Sequence, residues 1–113
     1  MKYYAEDQMK SLRARFEEQV LGWPRVKAQK MLGCPGYQVS GRLFATLVTG
    51  GVVLTRVEED DWKTLHSQFA VGPFQAGKKV VKHWAQVAIR DETDLERLMP
   101  FVRKSYQVVM EEW

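Results

Sequence analysis

Apolar positions along this chain keep two different rhythms, and each rhythm predicts a different kind of element. From about residue 4 to 21, Met9, Leu12, Phe16 and Val20 recur at three- and four-residue steps between charged neighbours, the spacing of an amphipathic helix, which Gly22 and Pro24 should end. Residues 26 to 57 are rich in Val, Leu, Phe and Thr and punctuated by glycine, so they are expected to be extended. Within them, Ser40-Gly41 and Gly50-Gly51 are expected to form tight hairpin turns, because glycine accepts the positive φ that such turns need. RLFATLV and GVVLTRV then read as two antiparallel strands, and Cys34 in GCPG as a turn residue.

The acidic block Glu58, Glu59, Asp60 and Asp61 falls where the free N–H groups of a helix start favour negative charge. It opens a second helix with Trp62, Leu65 and Phe69 as its buried stripe and Gly72-Pro73 as its expected end. Residues 79 to 90 alternate again, which places Val81, Ala85, Val87 and Ile89 on one face of a strand and Lys82, Trp84, Gln86 and Arg90 on the other. From Asp91 onward, Leu95, Leu98, Met99, Val102, Tyr106, Val109 and Met110 share one helical face, with Asp91 or Thr93 as the cap. Pro100 inside that pattern predicts a kink, or a short helix handing over to a longer one.

These elements predict one α+β domain over residues 1–113, an antiparallel sheet of about five strands with helices packed on one face, in the order α-β-β-β-α-β-β-α. Phe16, Phe44, Leu47, Val53, Leu65, Phe69, Val87, Leu98 and Val102 are its expected core. A hydrophobic fraction of 45% and a charged fraction of 27% suit an ordinary packed domain. The single cysteine excludes an intrachain disulfide and a thiolate metal cage. Charges throughout the first helix leave no secretory leader, and no run of 18 apolar residues occurs, so a cytoplasmic protein without a membrane partner is expected.

Charge changes the picture more by its layout than by its sum of +3. Residues 20 to 57 hold Arg25, Lys27, Lys30, Arg42 and Arg56 and no acid, and residues 66 to 90 hold Lys78, Lys79, Lys82 and Arg90, again with no acid. The acids are confined to the predicted helices. Part of that separation follows from the preference of acids for helix starts and their poor fit to strands. The sharper reading is a cationic face, or a pair of cationic hairpin tips, that meets nucleic acid.

Catalytic chemistry finds little footing in the same residues. His66 and His83 have no nucleophile or carboxylate placed beside them by a motif, and with Cys34 they match no zinc spacing. GCPG and TGG lack the Walker lysine and the dinucleotide fingerprint, and the acidic block lacks the alternating ligands and central glycine of an EF-hand. No enzyme activity, cofactor or metal is therefore expected.

The run KMLGCPGYQVSGRLFATLVTGGVVLTRVEEDDWKTL resembles the pattern of the MmcQ/YjbR-like and TfoX N-terminal-like proteins. Gly41, Arg42, Leu43, Phe44 and Ala45 fall on that pattern's G-[KR]-[LM]-F-A strand, and Trp84, Ala85, Gln86 and Val87 on its W-V-x-[VL] strand. Leu95, Leu98, Ser105, Tyr106 and Val108 fit its closing helix, and Met99-Pro100-Phe101 is similar to the TfoX-type L-P-W. The resemblance implies a small frataxin-like α+β sandwich, in some members with a double-wing motif for DNA, and no family-wide catalytic residue. The frataxin-like shape also raises iron, but Glu6, Asp7, Glu17 and Glu18 are balanced here by Lys2, Lys10, Arg13 and Arg15.

The functional expectation is thus a non-enzymatic binding module whose basic hairpins contact DNA through Lys78, Lys79, Lys82, Trp84, Arg42, Arg56 and Arg90, centred on AGKKVVKHW. The alternative is a protein-interaction domain that receives another polypeptide, or itself, on an apolar outer face around Trp84 and Ala88 or on a strand edge.

Overall fold

The computed structural model describes residues 4–31, 33–76 and 78–112. Among them are three helices and six strands: α1 (Glu6–Val20), β1 (Val26–Met31), β2 (Cys34–Val39), β3 (Arg42–Val48), β4 (Gly51–Leu54), α2 (Glu59–Gln68), β5 (Val71–Ala76), β6 (Lys79–Ala88) and α3 (Glu92–Glu111). All strands pair antiparallel in one sheet of order β1-β2-β3-β4-β6-β5. The class is α+β, as the two rhythms predicted. The sheet has six strands, however, and the order is α-β-β-β-β-α-β-β-α.

The additional strand comes from residues 26 to 39, which fold back on themselves at Gly33 (φ 79°). Cys34 and Pro35, expected in the turn, instead open β2 and are buried. Pro35 lies opposite Lys30 of β1, the sheet's outermost strand. Gly72 and Pro73, expected to end α2, lie inside β5 at the other sheet edge, where a missing N–H is tolerated; α2 stops at Gln68.

Ser40 and Gly41 form the expected two-residue turn, both with positive φ, and Val39 pairs with Arg42 across it. The next turn falls one residue earlier than expected, on Thr49 and Gly50, and Gly51 begins β4 opposite Val48. A Cβ on Gly51 would lie 2.7 Å from the Val87 carbonyl oxygen, so this glycine serves the close approach of β4 to β6. The turn also seats α1: Thr49 Oγ1 accepts from the Ala5 N–H at 2.7 Å, and Met9 Sδ accepts from the Gly50 N–H at 3.2 Å.

The main core lies between the helices and one face of the sheet. Phe16 and Val20 of α1, Leu65 of α2, and Leu95, Leu98, Val102, Tyr106 and Val109 of α3 are buried against Tyr37, Phe44, Leu47, Val52, Leu54, Ala85 and Val87. Of the nine expected core residues, eight are buried and Phe69 is half-buried. The helix α3 continues through Pro100, which faces solvent, with no handover to a second helix. Asp91 is its cap, accepting the Asp94 N–H at 2.9 Å.

A bulge in β3 ties α3 to the sheet. Register slips between the Tyr37–Ala45 and Gln38–Leu43 pairs, leaving Phe44 without a partner in β2. Its carbonyl oxygen accepts from Ser105 Oγ at 2.7 Å and from the Thr55 N–H at 3.3 Å, so the buried acceptor is satisfied. A smaller apolar cluster of Cys34, Val48, Val53 and Phe74 forms on the second face. No helix among the described residues is long and apolar enough to cross a membrane.

Candidate nucleic-acid interface

The β5–β6 hairpin is not a flat ladder. Val71, Gly72 and Pro73 pair with Val87, Gln86 and Ala85, but the next pairs are Phe74 with Val81, Gln75 with Val80 and Ala76 with Lys79. Lys82, His83 and Trp84 therefore have no partner in β5, and this bulge changes which way the strand's side chains face. Ala85 and Val87 enter the main core, whereas Val81 and Trp84 pack with the second-face cluster. The expected sharing of one face by Val81 and Ala85 fails for that reason.

Trp84 is half-buried and stacks on Phe74, with ring centroids 5.8 Å apart and planes at 28°. The pair sits at the bulge of the hairpin, where the register shifts between Pro73 and Phe74. Beyond it Lys78, Lys79, Lys82 and His83 are all exposed, and Val80 is 45% exposed. Among the described residues no carboxylate pairs with any of the three lysines. Gly77, within the stretch expected to make the contact, lies outside the described residues.

The three arginines of the candidate set have partners. Arg56 Nε lies 2.8 Å from Glu112 Oε2 and Arg42 Nη1 3.8 Å from Glu112 Oε1, so the residue that caps the end of α3 supplies one carboxylate to both. The Arg56 hydrogen bond holds the Glu112 carboxyl below its usual range. Arg90 gives its backbone N–H and its Nε to Asp94 Oδ2, at 3.1 and 3.2 Å, and Arg97 Nη1 approaches Oδ1 at 3.5 Å. Those Arg90 bonds, the backbone one first, lower the Asp94 pKa despite its burial. Because Leu54 pairs with Ala85 and Gly51 with Ala88, Arg56 lies at the sheet end nearest the bulge and Arg90 at the opposite end. The structure thus divides the seven residues into three free lysines on one hairpin, a packed tryptophan, and three arginines committed to α3.

Two groupings lie outside the expected contact set. Lys27 and Lys30 sit exposed on the edge strand β1, whose signal was a lack of apolar alternation in VKAQKM. A cleft of about 390 Å³ between the end of α2, the end of β6 and the start of α3 brings His66, Phe69, Arg90 and Asp94 together, from positions 66 to 94 that no motif connects. His66 is also stacked on Trp62, at 5.9 Å and 26°.

No protein-family model, curated protein or solved structure matches this chain.

Proposed function

We propose that this protein is a small non-enzymatic binding module that engages the phosphate backbone of DNA through the β5–β6 hairpin. The observation that carries the reading is the unpaired, exposed state of Lys78, Lys79 and Lys82, in a molecule where Arg42, Arg56 and Arg90 are already held by carboxylates. A lysine ammonium is a compact point charge, suited to positioning a phosphate strand and poor at reading base edges. The hairpin acts as a wing laid along the duplex, of the kind implied by the resemblance to the MmcQ/YjbR-like and TfoX-like proteins. Trp84 holds the wing's bend by packing on Phe74, so its ring is engaged inside the protein.

Binding of this type is driven by counterion release and has a characteristic salt dependence. Three phosphate contacts give a log-log slope of about −2.7, so affinity should fall roughly 40-fold between about 50 and 200 mM salt. A fluorescence-anisotropy titration with labelled duplexes of unrelated sequence checks this. Equal affinities across sequences with the stated salt loss are expected; salt-independent binding, or no binding at about 50 mM, overturns the proposal.

A further inference from the structure

The edge strand β1 carries a second feature, independent of the hairpin and standing whether or not the hairpin binds DNA. Four consecutive residues of β1, Lys27, Ala28, Gln29 and Lys30, are exposed, and among the described residues β2 is the strand's only neighbour in the sheet. The helix layer stops short of it: Ala28 and Lys30 share the helix-side face with Val26 and are still open to solvent. In an antiparallel edge strand, alternate residues aim N–H and C=O away from the sheet, so β1 presents groups that β2 does not pair, the Val26 N–H excepted, which donates to the Trp23 carbonyl oxygen at 3.3 Å.

Lys27 and Lys30 lie on opposite faces of β1, Arg25 precedes it, and strands β1 to β4 contain no acid. Glu17 of α1, which reaches β2 at Tyr37, the partner of Ala28, is already held by Arg13 Nε at 3.0 Å and by the Tyr37 hydroxyl at 2.6 Å. We infer that β1 is a docking edge for an acidic segment of another polypeptide, which adds in the extended conformation as a seventh strand. Its acids would stand three positions apart, one opposite Lys27 and one opposite Lys30, on the two faces of the added strand.

Charge decides between occupants. A second copy of β1 would set VKAQKM against itself, basic residues facing basic residues with no acid to relieve them. A phosphate backbone matches the cations but not the edge, because its oxygens only accept and β1's outward carbonyls need donors. An acidic extended peptide satisfies both the backbone and the side chains.

The probe is an eight-residue valine/threonine peptide with two glutamates three positions apart, titrated into the whole protein and followed by amide NMR. Saturable shifts confined to residues 26 to 39 are expected, with slowed exchange at alternate amides of β1. Lys27→Glu with Lys30→Glu should weaken binding about tenfold. Methylating the peptide's alternate nitrogens on its pairing edge should abolish binding to the unaltered protein, a readout that does not depend on any variant folding. The inference fails if the methylated peptide binds as tightly as the parent. It fails equally if shifts appear on β5–β6 instead, if none saturates, or if the protein's solution mass doubles through β1.

Discussion

Gly51 and Gly72 are both strand glycines, yet an added methyl group would meet very different surroundings. At Gly51 the Cβ would press on the backbone oxygen of Val87, which cannot swing away, whereas at Gly72, among the described residues, nothing beyond its chain neighbours lies within 4 Å. Gly51→Ala should therefore destabilise the protein by about 1–3 kcal/mol, by forcing β4 and β6 apart. Gly72→Ala should be neutral or stabilising by up to about 1 kcal/mol, through the reduced freedom of the unfolded chain. Chemical denaturation of the two variants checks the pair. Asp94 gives a pH-dependent counterpart. Arg90's hydrogen bonds lower its folded pKa beneath the ordinary 3.8, so its contribution is present above that value and is lost as pH falls through the lower folded value. Melting curves of the wild type should consequently lose stability below about pH 4 more steeply than those of Asp94→Asn. At this scale the sequence was informative where partners are near: it narrowed the cap of α3 to Asp91 or Thr93, and Asp91 is the one that caps. The Arg42–Glu112 and Arg56–Glu112 pairs could not, because only the fold brings residues so far apart in sequence together.

Among the elements, the helices were legible and the edges were not. Stripes at three- and four-residue steps marked α1 and α3, since each buries one face. Strand β1 buries neither face fully and so has no stripe to read, while Pro35 and Pro73 looked like strand breakers although each lies in or beside an edge strand. The three-residue bulge of β6 was invisible for a related reason: alternation assumes a constant period, and Lys82-His83-Trp84 interrupts it. Two truncations test the packing this leaves. Leu98, fully buried between α3 and the sheet, should cost about 2–5 kcal/mol as Leu98→Ala. Trp84→Ala removes the half-buried partner of Phe74 and should destabilise the domain by about 1–3 kcal/mol. Thermal or urea unfolding measures both, and a Trp84→Ala protein of unchanged stability would show that the stacked pair does not hold the hairpin.

Across the whole molecule, the strands carry cations and no acid while the acids lie in or beside the helices, and folding partly cancels the separation. Helix α3 brings Glu112 to Arg42 and Arg56 and Asp94 to Arg90, and Lys104 of α3 returns a positive charge to Glu58 and Asp61 at the start of α2. What remains uncancelled on the sheet is concentrated in Lys78, Lys79 and Lys82 on one hairpin and in Arg25, Lys27 and Lys30 along the first edge. Counting charge by segment found all of these residues and could not rank them, because the ranking depends on which carboxylates the fold delivers. The proposed DNA contact rests on that ranking. Its most direct test compares the salt dependence of duplex binding for Lys78→Ala/Lys79→Ala/Lys82→Ala with that for Arg42→Ala/Arg56→Ala. The lysine variant should lose about 2.7 from the log-log slope while the arginine variant keeps the wild-type slope. An arginine variant whose slope flattens as much as that of the lysine variant, or a lysine variant that binds as the wild type does, would contradict the account.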